Sequence, residues 1–245
     1  MYQYFDKIIE KLKIVEKEEK YKIEGTIDLL VEAIEKKQSI YIFGASHAGI
    51  LTQEMYYRAG GLMVINPIFG REIMLDTEPI TLTSQMERLE GYGENLGKTV
   101  DFKENDVLIL HSVSGRNSVI LDLGLYAKKK GVKIIALTNL EYSKSVESRH
   151  SSRKKLYELA DITIDNHGDI GDAMCEIEGL EQKVGPSSTV VGATILNTIV
   201  SEVCKKLIEN GKVHPPIYYS ANLDGGDELN KKLKDEFKEL IHYRY

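Results

Sequence analysis

Short apolar runs that alternate with helical patterns constrain this chain more than any other feature. Ser39-Ile-Tyr-Ile-Phe43, Leu62–Asn66, Val107–Leu110, Val132–Leu137 and Ile162–Ile164 are rich in β-branched residues and too short for helices, so each predicts a buried strand. Helical spacing follows several of them: from Gly49 through about Ala59, over Val119–Lys130, and over Ser148–Leu159. Strands that alternate with helices must lie parallel, because each crossover returns the chain to the same sheet end. The resulting sheet is covered on both faces. Residues 3–37 carry Ile8, Ile9, Leu12, Ile23, Ile27, Leu30, Val31 and Ile34 at helical spacing, which predicts N-terminal helices with a break near Gly25. Residues 67–93 are interrupted by Pro67, Gly70, Pro79, Gly91 and Gly93, with a helical turn expected at Met86–Glu90. Residues 165–186 read as a long acidic loop, Thr189–Glu209 as a long helix, and Leu229–His242 as a charged one. Only one such core is visible. The expectation is therefore a single domain over 1–245, with its core at about 35–210, N-terminal helices in 1–37 and an extension at 211–245.

Charge and composition narrow the partners. The formal net charge is −6, which disfavours general nucleic-acid binding, since that rests on neutralising phosphates. No apolar run approaches the roughly 20 residues of a membrane span, so no membrane partner is expected. Cys175 and Cys204 lack metal-type spacing and do not form a disulfide framework. The first residues do not resemble a secretory signal, and the expected location is the cytoplasm.

Ligands of an open α/β sheet bind beyond the carboxyl ends of its strands. Three polar loops fall there: Gly44–Gly49 with Ser46 and His47, His111-Ser-Val-Ser-Gly-Arg-Asn-Ser118, and Thr138-Asn-Leu-Glu-Tyr-Ser143. In the second loop, Ser112, Ser114, Gly115, Asn117 and Ser118 stand at a strand-to-helix turn. Hydroxyls, a flexible glycine and unpaired N–H groups at a helix start suit a phosphate. His111 alternates with Ser112 in direction and is expected to face the core. A fourth element, Gly185-Pro-Ser-Ser-Thr189, places Ser187, Ser188 and Thr189 where they can cap the long helix or offer its N–H groups to an anion. Gly44-x-x-x-x-Gly49 lacks the second glycine of a dinucleotide fingerprint, and there is no Walker A pattern. Asp165–Asp172 offers Asp165, His167, Asp169 and Asp172 as metal ligands, but turn-forming Asp, Asn and Gly explain that spacing more simply. Neither a cofactor nor a metal is expected.

Together these loops resemble the SIS (sugar isomerase) domain family. The resemblance is carried by Gly44-Ala-Ser-His-Ala-Gly49, Ser112-Val-Ser-Gly-Arg-Asn-Ser118 and Glu181-Gln-Lys-Val-Gly-Pro-Ser-Ser-Thr189, and covers roughly residues 35–210. The tail, with Pro215-Pro216, Ser220-Ala-Asn222 and Asp224-Gly-Gly226, is similar to a bacterial branch labelled as sugar or phosphoheptose isomerases. The resemblance implies a three-layer α/β/α sandwich around a five-stranded parallel sheet of flavodoxin-like type, in a homodimer or homotetramer that binds a phosphorylated sugar. It implies phosphate contacts from Ser112, Ser114, Gly115, Asn117 and Ser118. Ser46 and His47 would lie on the neighbouring substrate loop, with Ser187, Ser188 and Thr189 at the last core helix. The first loop departs from the pattern, because Ala48 stands where many members carry a serine. Heptose-phosphate isomerases also place a His and a Glu in the following helix, where this chain offers Glu54 and Arg58.

Aldose–ketose isomerisation needs a base to move a proton between adjacent carbons and an acid to open the ring. By resemblance to the isomerase domain of glucosamine-phosphate synthase, the base is Glu181, with Glu178 as the alternative. His47 is the ring-opening group and Glu54 a further carboxylate toward the pocket. Two other functions remain open at this point: a non-catalytic phosphosugar sensor, and a phosphosugar lyase (etherase) using the same proton abstraction.

Overall fold

The computed structural model describes residues 2–211 and 214–244. The limits expected at residues 1 and 245, and residues 212–213 of the extension, lie outside the described residues. Helices α1 (Gln3–Glu18) and α2 (Lys20–Glu35) precede β1 (Ile40–Gly44), α3 (Gly49–Glu54) and β2 (Ile65–Pro67). Next come α4 (Thr81–Arg88), α5 (Tyr92–Lys98), β3 (Val107–His111), α6 (Ser118–Lys129) and β4 (Lys133–Thr138). After α7 (Leu140–Ser145), α8 (Leu156–Leu159) and β5 (Ile162–Asp165), an antiparallel pair, β6 (Ala173–Cys175) and β7 (Val184–Pro186), leads into α9 (Ser188–Glu209) and α10 (Gly226–Glu236).

Strands β1 to β5 form one parallel sheet in the order β2-β1-β3-β4-β5, the flavodoxin-like order. Alternation sorts its side chains. Ile40, Ile42, Val107, Ile109, Ile135 and Leu137 face the layer of α1, α2, α3 and α9. Tyr41, Phe43, Leu108, Leu110, Ile134 and Ala136 face the layer of α5, α6 and α8. Each fully buried Leu or Ile contributes about 1.5–3 kcal/mol, so these two faces hold the sandwich together.

The C-terminal extension folds back over the β2 side of the sheet. Leu62 bridges to Ile217, and Met63 N–H donates to Pro216 O at 2.7 Å. Buried Asn66 donates from Nδ2 to Leu240 O at 2.9 Å and accepts from His242 N–H at 2.6 Å. This capture explains why α10 stops at Glu236 and does not run to His242.

Other boundaries move for local reasons. The N-terminal break falls at Glu19, not Gly25. The Glu19 carboxylate reaches across to Asp165 N–H (3.1 Å) and His167 Nε2 (3.1 Å). The helix after the first loop ends at Glu54, short of Ala59. Most of Ser148–Leu159 is not helical. Ser148 Oγ accepts from His150 N–H and Ser152 Oγ from Lys154 N–H, which competes with helix formation until Leu156. Within the loop expected at Thr138–Ser143, the chain turns helical over Leu140–Ser145 because Asn139 Oδ1 caps it by accepting from Tyr142 N–H at 2.8 Å.

Candidate functional site

Strand register brings the loops together. Gly44 pairs with His111, His111 with Leu137, and Thr138 with Asp165, so the carboxyl ends of β1, β3, β4 and β5 are level. In this strand order the chain reverses between β1 and β3, and the crevice there lies between the Gly44–Gly49 and His111–Ser118 loops. His111 joins the two loops. It is 1% exposed, and its Nδ1 donates to Ala48 O at 3.0 Å. Burial pushes its imidazole pKa down, which keeps the ring neutral and matches the donor role of Nδ1. Gly44 permits this close return, because a Cβ there would stand 2.4 Å from Ala48 O.

The serine loop is shaped from within. Ser112 Oγ accepts from Gly115 N–H at 3.2 Å, and Thr138 Oγ1 reaches Ser112 O at 2.7 Å from the next strand. Gly115 adopts φ +58, and a Cβ there would meet Ser143 Oγ at 3.1 Å and Leu156 Cβ at 3.2 Å. Helix α6 starts at Ser118, at the end of the serine loop, so its first-turn N–H groups have no partner within the helix. A Gly115→Ala substitution is expected to destabilise the chain by roughly 1–2 kcal/mol, the cost of a left-handed non-glycine residue. Chemical denaturation checks this, and an unchanged midpoint would contradict the loop geometry.

Not every predicted residue is free for a ligand. Ser114 is half-buried in the loop. Asn117 is committed on both sides: Nδ2 donates to Glu87 Oε1 at 2.8 Å, and Oδ1 accepts from Arg149 Nη1 at 2.9 Å. Ser118 is fully buried and its hydroxyl donates to Arg149 O at 3.3 Å. Ser187 and Ser188 are buried under Asp172, whose carboxylate accepts from Ser187 N–H (3.2 Å), Ser188 N–H (2.8 Å) and Ser188 Oγ (2.6 Å). The start of α9 therefore already carries an anion from its own chain. Thr189 instead lines a groove of about 750 Å³ along α9, together with Glu54 and Asn197. Glu54 bonds Arg58, and Asn197 Nδ2 at 3.1 Å, facing this groove and not the serine loop. Glu181 is exposed at the bend before β7, and no bond joins it to either loop. Ser46, at φ +51, and exposed His47 stay on the first loop.

The 165–172 segment is a structural junction. Asp165 accepts from Leu140 and His167 N–H groups, Asp169 pairs with Lys11 and Lys183, and Asp172 caps α9. Among the described residues no three His, Cys, Asp or Glu side chains converge as metal ligands.

Sequence reasoning missed Glu87. It stands near the end of α4, in the stretch broken by glycine and proline, and reaches the serine loop through Asn117. Burial raises its carboxyl pKa above the usual range, opposed by the Asn117 bond and by the charges of Arg149, Arg88 and His47. No local motif marks it; the Asn117 contact spans 30 positions.

The SIS domain model matches residues 3–139. With that match over more than half of its length, the chain belongs to the SIS domain family. It is similar to the UPF0309 protein of Shouchella clausii, with 49% identity over 241 residues covering 98% of each chain. The UPF0309 protein of Oceanobacillus iheyensis is 47% identical, over 99% of this chain and 98% of that one. Among solved structures, phosphoheptose isomerase from Neisseria gonorrhoeae superposes with a TM-score of 0.51 at 14% identity, over 84% of this chain and 95% of that one. Protein MJ1247 from Methanococcus jannaschii, whose structure is described as inferring 3-hexulose-6-phosphate isomerase function, gives 0.52 at 19%, over 91% and 100%. These two likenesses show the shared fold. No helix among the described residues is long and apolar enough to cross a membrane.

Proposed function

We propose that this chain binds a phosphorylated sugar in the crevice between the first loop and the serine loop, and isomerises it with Glu87 as the proton-moving carboxylate. The observation that carries this reading is the meeting of an anion cradle with a half-buried carboxyl whose pKa is raised. The phosphate is held by the α6 N–H groups and Ser114, with Ser112 and Gly115 shaping the turn. Asn117 does not touch the phosphate in this reading; it sets the distance between the cradle and Glu87. The Glu87 carboxylate takes a proton from the hydroxyl-bearing carbon beside the carbonyl and returns it to the former carbonyl carbon, while the hydroxyl proton passes to the former carbonyl oxygen through the enediol. The carbonyl moves by one position and no oxidant is consumed. His47, on the facing loop, serves the ring oxygen.

Glu54 and Glu181 have no part in this arrangement of one chain. The α9 groove, with Val190 exposed beside it, is the face that a homodimer or homotetramer would cover.

The test pairs binding with product analysis. A hexose 6-phosphate is expected to raise the unfolding temperature, as any ligand of the folded state does, while the free hexose leaves it unchanged. Carbon NMR of the incubated sugar phosphate should then show an aldose–ketose pair approaching equilibrium. Binding without any product favours the sensor, and release of a substituent the lyase.

A further inference from the structure

Three arginines crowd the mouth of the serine loop, in a chain whose overall charge is −6. Arg116 belongs to the loop itself. Arg149 donates from Nη1 to Asn117 Oδ1 at 2.9 Å and from its backbone N–H to Arg116 O at 2.9 Å. Arg88 follows Glu87, which holds Asn117 from the other side at 2.8 Å. Burial holds the Arg149 guanidinium below its ordinary pKa, Arg116 and Arg88 add to that shift, and Glu87 and Tyr142 oppose it.

Neutralisation from within the chain is weak. None of the three forms a salt bridge with a carboxylate among the described residues. Asp122 is taken by His150 Nε2 at 3.0 Å and Gly91 N–H at 2.6 Å, and Glu90 by Ser151 N–H at 2.6 Å. Glu87 remains, bonded to Asn117 Nδ2 at 2.8 Å, a single carboxylate facing three guanidinium groups. Arg149 spends one of its five guanidinium N–H donors on Asn117, and its other donors remain for further acceptors. Clustered like charges repel unless an anion sits among them.

The phosphate of the proposed substrate has its own cradle in the α6 N–H groups. We infer that Arg88, Arg116 and Arg149 form a second anion subsite, which selects a sugar phosphate bearing a further acidic group, a carboxylate or a second phosphate. This rests on the proposed phosphosugar reading and names the substrate class within it. Guanidinium forks match either oxyanion, and binding both ends of a diacid fixes the sugar between them.

Calorimetric titration of the full chain with a hexose 6-phosphate, an aldonic acid 6-phosphate and a hexose 1,6-bisphosphate tests this at one ionic strength. At least one diacid should bind about tenfold or more tightly than the monophosphate, as a charge-assisted bidentate contact allows. Which diacid gains tells a carboxylate from a phosphate. Arg149→Gln should erase that advantage while the monophosphate affinity stays within about threefold. Arg88→Gln, which breaks no bond seen in the structure, should reduce the advantage in the same direction and guards against loss of folding. Equal affinities for all three ligands overturn the inference. So does an equal loss for mono- and diacids in both variants, because the arginines would then serve the single phosphate. If the monophosphate and both diacids all fail to bind, the phosphosugar reading itself falls.

Discussion

Replacing Glu87 by Gln is expected to lower sugar-phosphate turnover by about 100-fold or more, the range that general bases supply. The amide keeps the shape and can still accept from Asn117 Nδ2, a contact of 2.8 Å in the native chain. Ligand affinity should therefore stay within a few-fold. The pH profile gives an independent reading. Burial raises the Glu87 pKa, so the active carboxylate form is lost on acidification at a higher pH than for an ordinary glutamate. The wild-type rate should fall along that limb, and the residual rate of the Gln variant should not follow it. Substrate-saturated rates across the acid range check both points. A variant that turns over at wild-type rate would remove Glu87 from the chemistry, and Glu181 would become the carboxylate to test next.

The second large effect concerns stability. Asp172→Ala should cost about 3 kcal/mol, because it removes the carboxylate at the start of the longest helix and leaves the buried N–H and hydroxyl of Ser188 without an acceptor, while Ser187 keeps only the carbonyl of residue 172. In a chain of this size that corresponds to a fall in melting temperature of roughly 6–12 °C. Asp172→Asn keeps one acceptor oxygen and should cost less than half as much. Thermal unfolding of the three proteins decides it. A change below about 0.5 kcal/mol for the Ala variant would mean that other groups satisfy the start of α9.

The contrast between Glu87 and Ser112 shows what the sequence can tell. The position of Ser112, Gly115 and Ser118 at a strand-to-helix turn was legible because the apolar run Val107–Leu110 fixes where a strand ends. The five strands were legible for the same reason: burial on both faces demands short, β-branched runs. Glu87 and Arg149 were not legible, since their link runs through Asn117 between segments distant in sequence. Asp172 lay in a stretch of Asp, Asn and Gly that equally suits turns, metals and caps, and only the folded chain shows its carboxylate over Ser188. The serines at 148–152 look helical by their neighbours' periodicity, yet their hydroxyls bond locally and open the loop that carries Arg149.

The clasp of Asn66 on the C-terminal segment has a consequence for how copies of this chain coexist in solution. β2 is the outermost strand on its side, three residues long, and a bare outer strand is a template for pairing with a neighbour's. Leu240, His242 and Tyr243 lie across that border, with Tyr243 Oη donating to Met63 O at 2.7 Å. The segment therefore covers that border and denies strand-to-strand growth along it.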